Sequence, residues 1–391
     1  MPRPPILPLL LALAAASPLG AQSSPGEGPL PPPDTVVTPI LPPTSPLPPE
    51  AASAEVTRFS FLVYGDTRGR YDGLRLQHEH SLVLESMLAR IRAMADGPDP
   101  VRFVLQSGDA VVNGRFGVQW NVSLVPLIDR LTTEGGVPWF LAPGNHDLPA
   151  LARDEGLHNY FSAVSNLIPP NGSPRRLSGY PTYALGYGNT FVVALDSNIP
   201  DDTVQYAWVE AQLAGLDRQR YTHVAAFFHH PAFSSGPHGG TRVERQTSSI
   251  RARYMPLFRR YGVEMLFVGH EHLFEHWVEQ YHDASGAPHR IDQILTGGGG
   301  APLYRYLGEP DLSEYQRAGE AEGVRVTHLV KPGMNPGDNP YHYVVVHVDG
   351  PSVWVEVVGV DWGRGFEPYR SSRTSLTGGG ATPPTVPSGP R

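Results

Sequence analysis

The sequence predicts an α/β protein. Three observations predict it. Short apolar runs rich in Val, Phe, Leu and Ala recur along the middle of the chain, amphipathic helical patterns lie between them, and the runs end abruptly in Asp, Asn or His. Strands that alternate with helices imply layered α/β packing.

The elements follow in order. Residues 1–21 join one Arg, a short apolar stretch and small residues around Ala21, the shape of a secretory signal peptide. The stretch is too short to span a bilayer comfortably, and no later segment is apolar enough to do so. Export is therefore expected, to a periplasmic, cell-envelope or secreted location. Residues 22–54 are Pro-rich and read as an extended linker without a core of its own. The folded domain is expected over 55–370, and the low-complexity stretch 371–391 reads as a disordered tail. Within the domain, "FSFLVYGD", "VRFVLQSGD", "VPWFLAPGNHD", "TFVVALDS", "THVAAFFHHP" and "VEMLFVGHEH" read as buried strands. Helical patterns cover roughly 79–95, 118–133, 203–215 and 249–261. After Leu273, "RIDQILTGGGG", "YHYVVVHVDG" and "SVWVEVVGVDW" read as antiparallel strands. The stretches 148–182 and 300–340 read as long irregular loops that shape specificity.

Composition sets limits. The 391 residues are 40% hydrophobic, enough for a sizeable core. The formal net charge of −8 and the lack of a basic patch argue against a nucleic-acid partner. Lys331 is the only lysine, which reads as coding bias. The chain has no Cys, so disulfides and thiolate metal sites are excluded. The 16 His are clustered.

The chemistry sits at the strand ends. Asp66, Asp109, Asn145 with His146 and Asp147, His229 with His230, and His270 with His272 each follow an apolar run. In open α/β sheets that edge is the functional one. Each group alone has an ordinary explanation: a Gly-Asp turn, a helix cap, a satisfied histidine pair, an exposed turn. Turn chemistry does not explain the same donors at the ends of successive strands. Carboxylates, an amide carbonyl and neutral imidazoles suit Mn, Fe or Zn, and this set exceeds the needs of one ion. Two ions about 3.5–4 Å apart would clamp an in-line displacement at phosphorus.

"GDTR", "GDAVVNG", "GNHD", "HHP" and "GHEH" resemble, in order and spacing, the motifs of calcineurin-like metallophosphoesterases, over roughly 57–360. "ILTGGGGAPLY" at 294–304 is similar to a Gly-rich strand turn of the purple-acid-phosphatase-like branch. The resemblance implies a four-layer αββα sandwich with two facing mixed β-sheets. It also implies a dinuclear hydrolase of small-molecule or other phosphorylated substrates, as phosphomonoesterase or phosphodiesterase. Asp66 and His272 would bind the first ion, and Asp109 would bridge. Asn145, His229 and His270 would bind the second, with Asn145 also touching substrate. His146 would protonate the leaving group, and Asp147 would orient it.

Two positions depart from the pattern. Where the usual first motif has a ligating His stands Arg68, which cannot ligate and is a candidate phosphate contact. Three residues after Asp109, where the purple enzymes carry an iron-binding Tyr, stands Val112. His80, or else His78, is the candidate replacement ligand. His238, in a Gly-rich loop, is a candidate substrate residue, and Asn113 reads as a turn residue. A different class remains: a secreted, metal-bound but inactive binding protein on the same fold.

Overall fold

A computed structural model of the chain describes residues 35–69, 73–361, 365–368 and 374–376. The signal-peptide reading of 1–21, the first part of the linker and nearly all of the tail lie outside the described residues.

Fourteen strands are described, and they form two sheets. In chain order they are β1 (Arg58–Tyr64), β2 (Val101–Gln106), β3 (Trp139–Leu141), β4 (Tyr183–Tyr187), β5 (Thr190–Ala194), β6 (His223–Phe227) and β7 (Met265–Val268). Then come β8 (Phe274–His282), β9 (Pro288–Thr296), β10 (Arg325–Val330), β11 (Tyr341–Asp349), β12 (Ser352–Asp361), β13 (Gly365–Pro368) and β14 (Thr374–Ser375). The first sheet has the order β13-β12-β11-β1-β2-β3, with β14 beside β12, and the second β10-β8-β9-β7-β6-β5-β4. Each sheet is mixed. β1, β2 and β3 run parallel, as do β5, β6, β7 and β9, and antiparallel strands extend both sheets.

Strand alternation creates the layers. Val192, Ala194, Ala225, Phe227 and Phe267 pack with Phe61 and Phe103 of the other sheet in a core between the sheets. Phe61 and Phe267 meet edge to face with centroids 5.8 Å apart. The intervening residues Phe191, Val193, Val224, Ala226 and Leu266 face Val209, Leu213, Tyr254 and Phe258 of the helices outside the second sheet. Helices His78–Met94 and Val125–Thr133 cover the first sheet through Val83, Met87, Leu127 and Leu131. This is the four-layer arrangement the sequence leads one to expect.

Three segments differ from expectation. Residues 35–49 have no regular structure and lead into a 3-10 turn at Glu50–Ser53, and together they form a strap on the body. Ile40 is fully buried, and its N–H donates to the Ala163 carbonyl at 2.9 Å. Asn121 and Asp129 accept the Thr38 and Leu41 N–H groups, and Arg175 makes paired 2.8 Å bonds to Glu50. The expected loop 148–182 contains the helix Arg153–Val164. Its Gly156 lies so close to the Asn-His-Asp turn that a Cβ would come within 2.7 Å of the Asp147 carbonyl. The expected loop 300–340 contains β10, paired to β8.

Candidate metal centre

The parallel strands of both sheets end at one edge, and the turns there have unusual backbones. Among the described residues, Asp66 (φ 57°), Asp109 (φ 52°) and His270 (φ 74°) are the only non-glycine residues with positive φ. Such a conformation disfavours side chains and collects at functional turns. The turns are also packed tightly. A Cβ on Gly144 would lie 2.2 Å from Asp109 Oδ1, so the Gly of Gly-Asn-His-Asp cannot carry a side chain.

The turns bring acceptors together. His229 Nε2 lies 3.0 Å from Asn145 Oδ1, 3.3 Å from Asp109 Oδ1 and 3.1 Å from His270 Nδ1. The outer nitrogens are already committed. His229 Nδ1 donates to the Ser107 carbonyl at 2.8 Å, and His270 Nε2 donates to Glu244 Oε2 at 3.1 Å. With the outer nitrogens donating, the neutral imidazoles turn lone pairs inward, so four acceptors face one another. Such a set could hold a cation, and the donors suit Mn, Fe or Zn. Beside it, Asp66, Asp109 and His272 offer ligand atoms within 4.8 Å of one another. His272 Nδ1 donates to the Pro302 carbonyl at 2.7 Å, leaving Nε2 toward Asp66 Oδ1 at 3.6 Å. Asp109 is common to both groups.

The electrostatics favour neutral imidazoles and pull the two carboxylates in opposite directions. Burial pushes His229 down to about 4 and also lowers His272, so both are neutral donors at pH 7. Burial and then the Asp109 charge raise the pKa of Asp66. Burial also works to raise Asp109, but His229, His146 and Arg68 together pull it below the usual carboxylate range.

Around this centre lies a pocket of about 230 Å³ lined by Arg68, Asn145, His146, His238 and Tyr304 among others. His146 Nδ1 donates to the Val112 carbonyl at 2.6 Å, which turns Nε2 toward the pocket, 4.0 Å from Asp109 Oδ2. Position 112 thus contributes its backbone carbonyl rather than a phenol. Arg68 Nε stands 3.5 Å from Asp109 Oδ2. Tyr304 stacks on His272 with centroids 4.1 Å apart. Among the described residues, no helix is long and apolar enough to cross a membrane.

Two expected roles do not match these positions. Asp147 does not orient His146. Its carboxylate accepts from the N–H groups of Ala110 (2.8 Å), Val111 (3.1 Å) and Gly144 (2.8 Å), pinning the turns after β2 and β3 together. It points under the turn because those donors have no partner in a sheet. His80 is not brought to the ligand groups. Its Nδ1 pairs with Gln77 Oε1 at 2.7 Å and its Nε2 with the Tyr64 hydroxyl at 3.2 Å, beneath the site. His78 begins the helix in an exposed position. His230 lines the pocket but pairs through Nδ1 with Ser197 Oγ at 2.9 Å. Asn113 makes a turn contact, accepting from Arg115 N at 3.2 Å.

Sequence reasoning missed Glu244. Its Oε1 accepts from His238 Nδ1 at 2.8 Å while Oε2 holds His270, so one carboxylate ties a pocket histidine to a ligand histidine. It also missed the place of Glu271. That buried side chain accepts the His238 N–H at 2.7 Å and fixes the Gly-rich loop. Its position inside Gly-His-Glu-His was the available signal.

The sequence model of the calcineurin-like phosphoesterase family matches residues 59–274, more than half of the chain. The chain belongs to the calcineurin-like phosphoesterase family. Within it, this phosphoesterase is similar to purple acid phosphatases. It is 25% identical over 211 residues to purple acid phosphatase 15 of Arabidopsis thaliana, covering 54% of this chain and 34% of that protein. It is 24% identical over 200 residues to the Fe(3+)-Zn(2+) purple acid phosphatase 12 of the same plant, covering 50% and 39%. The purple acid phosphatase PPD1 of yellow lupin (Lupinus luteus) shares the fold, with a TM-score of 0.54 and 16% identity over 80% of this chain and 53% of that one. The phosphoesterase thus spans under two-fifths of the length of these two curated relatives.

Proposed function

We propose that this phosphoesterase hydrolyses phosphoester bonds using two divalent ions, Mn, Fe or Zn. Asp66, Asp109 and His272 would hold one, and Asp109, Asn145, His229 and His270 the other. The observation that carries this reading is the convergence of these buried acceptors. When bound, such a pair lowers the pKa of a coordinated water toward neutrality and stabilises the attacking and leaving oxygens of an in-line displacement.

The chain's own groups have separable tasks. Arg68 offers a planar donor fork to a phosphate oxygen, and the Asn145 amide lies beside the same position. His146, its tautomer set by the Val112 carbonyl, presents Nε2 to the leaving oxygen as proton donor. His238 is held by Glu244, whose hydrogen bond raises its pKa and favours the cationic form beside a phosphate. The pocket suits a small phosphoester or the phosphorylated end of a larger molecule. Residues 1–21 would export the enzyme.

The test is reconstitution. The protein is stripped with chelator, reloaded with Mn, Fe or Zn, and assayed on p-nitrophenyl phosphate and bis-p-nitrophenyl phosphate with metal content measured in parallel. Metal-dependent turnover is expected, and the ratio of the two rates assigns mono- or diesterase. Bound metal without turnover on a broad phosphoester panel would instead support a binding protein.

A further inference from the structure

The two cation positions differ in the number of donors and in the charge beside them. The Asn145 position gathers Oδ1 of Asn145, Oδ1 of Asp109, Nε2 of His229 and Nδ1 of His270, and the imidazole that lies against it, His238, 4.6 Å from His270 between ring centroids, has its proton paired to the Glu244 carboxylate. The Asp66 position has three donors, Asp66, Asp109 and His272. Arg68, on a side chain only 17% exposed, holds Nε 3.5 Å from Asp109 Oδ2, the carboxylate common to both positions, and its charge also acts on Asp66 and His272, the other two donors of this position. Its backbone cannot move aside easily, because the Arg68 N–H donates to the Asp109 carbonyl at 3.0 Å and the Thr67 N–H does the same. His80, the candidate replacement ligand, is engaged by Gln77 and Tyr64.

We propose that Arg68 makes the two metal positions unequal. The Asn145 position holds its ion tightly. The Asp66 position, its charge partly neutralised by the guanidinium and its donors fewer, holds a second ion weakly and exchanges it with the surroundings. Activity then follows the free concentration of the metal. The inference rests on the two-ion reading above and adds the order of filling and its cause. The physical reason is the permanent charge of Arg68. A guanidinium does not deprotonate to make room, so an incoming dication meets repulsion that a neutral imidazole in the same place would not create.

The test is Mn2+ titration of the metal-free full chain by calorimetry, with electron paramagnetic resonance at each ratio. The wild type should bind one Mn2+ tightly and a second about ten-fold or more weakly. At one equivalent it should show the spectrum of isolated Mn2+. Arg68→His, which replaces a cation with a neutral donor, should bring the two affinities together and give a spin-coupled spectrum at two equivalents. Arg68→Ala should tighten the second ion, and Arg68→Lys should keep the inequality. Asn145→Ala should remove the tight ion. Circular dichroism on each variant separates lost binding from lost folding. Two equally tight ions in the wild type, or an unchanged second ion in both Arg68→His and Arg68→Ala, would overturn the inference and leave the two-ion reading standing. No Mn2+ binding at all would overturn both.

Discussion

His146 and Glu244 show how one side chain's place depends on what holds its far side. His146 faces the pocket because its other nitrogen is spent on the Val112 carbonyl. An alkoxide leaves poorly without a proton, whereas nitrophenolate leaves readily. His146→Ala should therefore lower kcat by about 10²–10⁴ on an alkyl phosphate and much less on p-nitrophenyl phosphate. Equal losses on both, measured under saturating metal, would remove the proton-donor role. Glu244 acts through His270, whose outer nitrogen it holds at 3.1 Å. Glu244→Gln should weaken the tighter ion by about 10- to 100-fold, and Glu244→Asp should restore part of that. Competition with a calibrated chelator reads this directly, apart from turnover. Glu244 was hard to see in the sequence. It sits in the charged stretch "TRVERQ", where a glutamate is ordinary, and only the fold returns that loop to the histidines. The main donors were legible because each directly follows an apolar run. The role of Asp147 was not, because neighbouring residues of a turn point in different directions.

At the scale of elements, periodicity located what is buried on one side and missed what is anchored by few contacts. The helices over 78–94 and 203–214 lie within a residue of their expected ranges. The helix Arg153–Val164 was hidden by Gly156, which lowers helix propensity but is required by the close approach to the Asp147 carbonyl. The strap over 35–54 was hidden differently. Its Pro-rich composition does report the lack of a core of its own, but says nothing about docking on someone else's. Val37 and Ile40 are buried in the main core, so the strap belongs to the cooperative unit. Ile40→Ala should cost about 2–5 kcal/mol in urea unfolding, as other buried Ile truncations do. A change within a few tenths would mean that the strap detaches independently.

For the whole molecule, stability should depend on acid. His342, far along the chain on β11, is buried, and that burial lowers its pKa to about 4 from its ordinary 6.5. The unfolded chain binds a proton there below pH 6.5 and the folded one does not until about pH 4. Stability is therefore full above pH 6.5 and falls as the pH drops between these values, by at most about 1.4 kcal/mol per pH unit for this group. Burial lowers His80 in the same way to about 3, extending the decline. Urea titrations of the metal-free protein at several pH values should show a shallower slope for His342→Gln than for the wild type, and parallel slopes would remove His342 as a cause. The left-handed backbones of Asp66, Asp109 and His270 bear on how this protein can be used. Asn tolerates that conformation at least as well as Asp, while Ala does not. An Asp109→Asn protein should keep its turns and its pocket but lose the charge that would join the two proposed ions, whereas Asp109→Ala would confound inactivity with distortion. The asparagine variant is thus the bait with which to fish bound, uncleaved substrates out of a complex mixture.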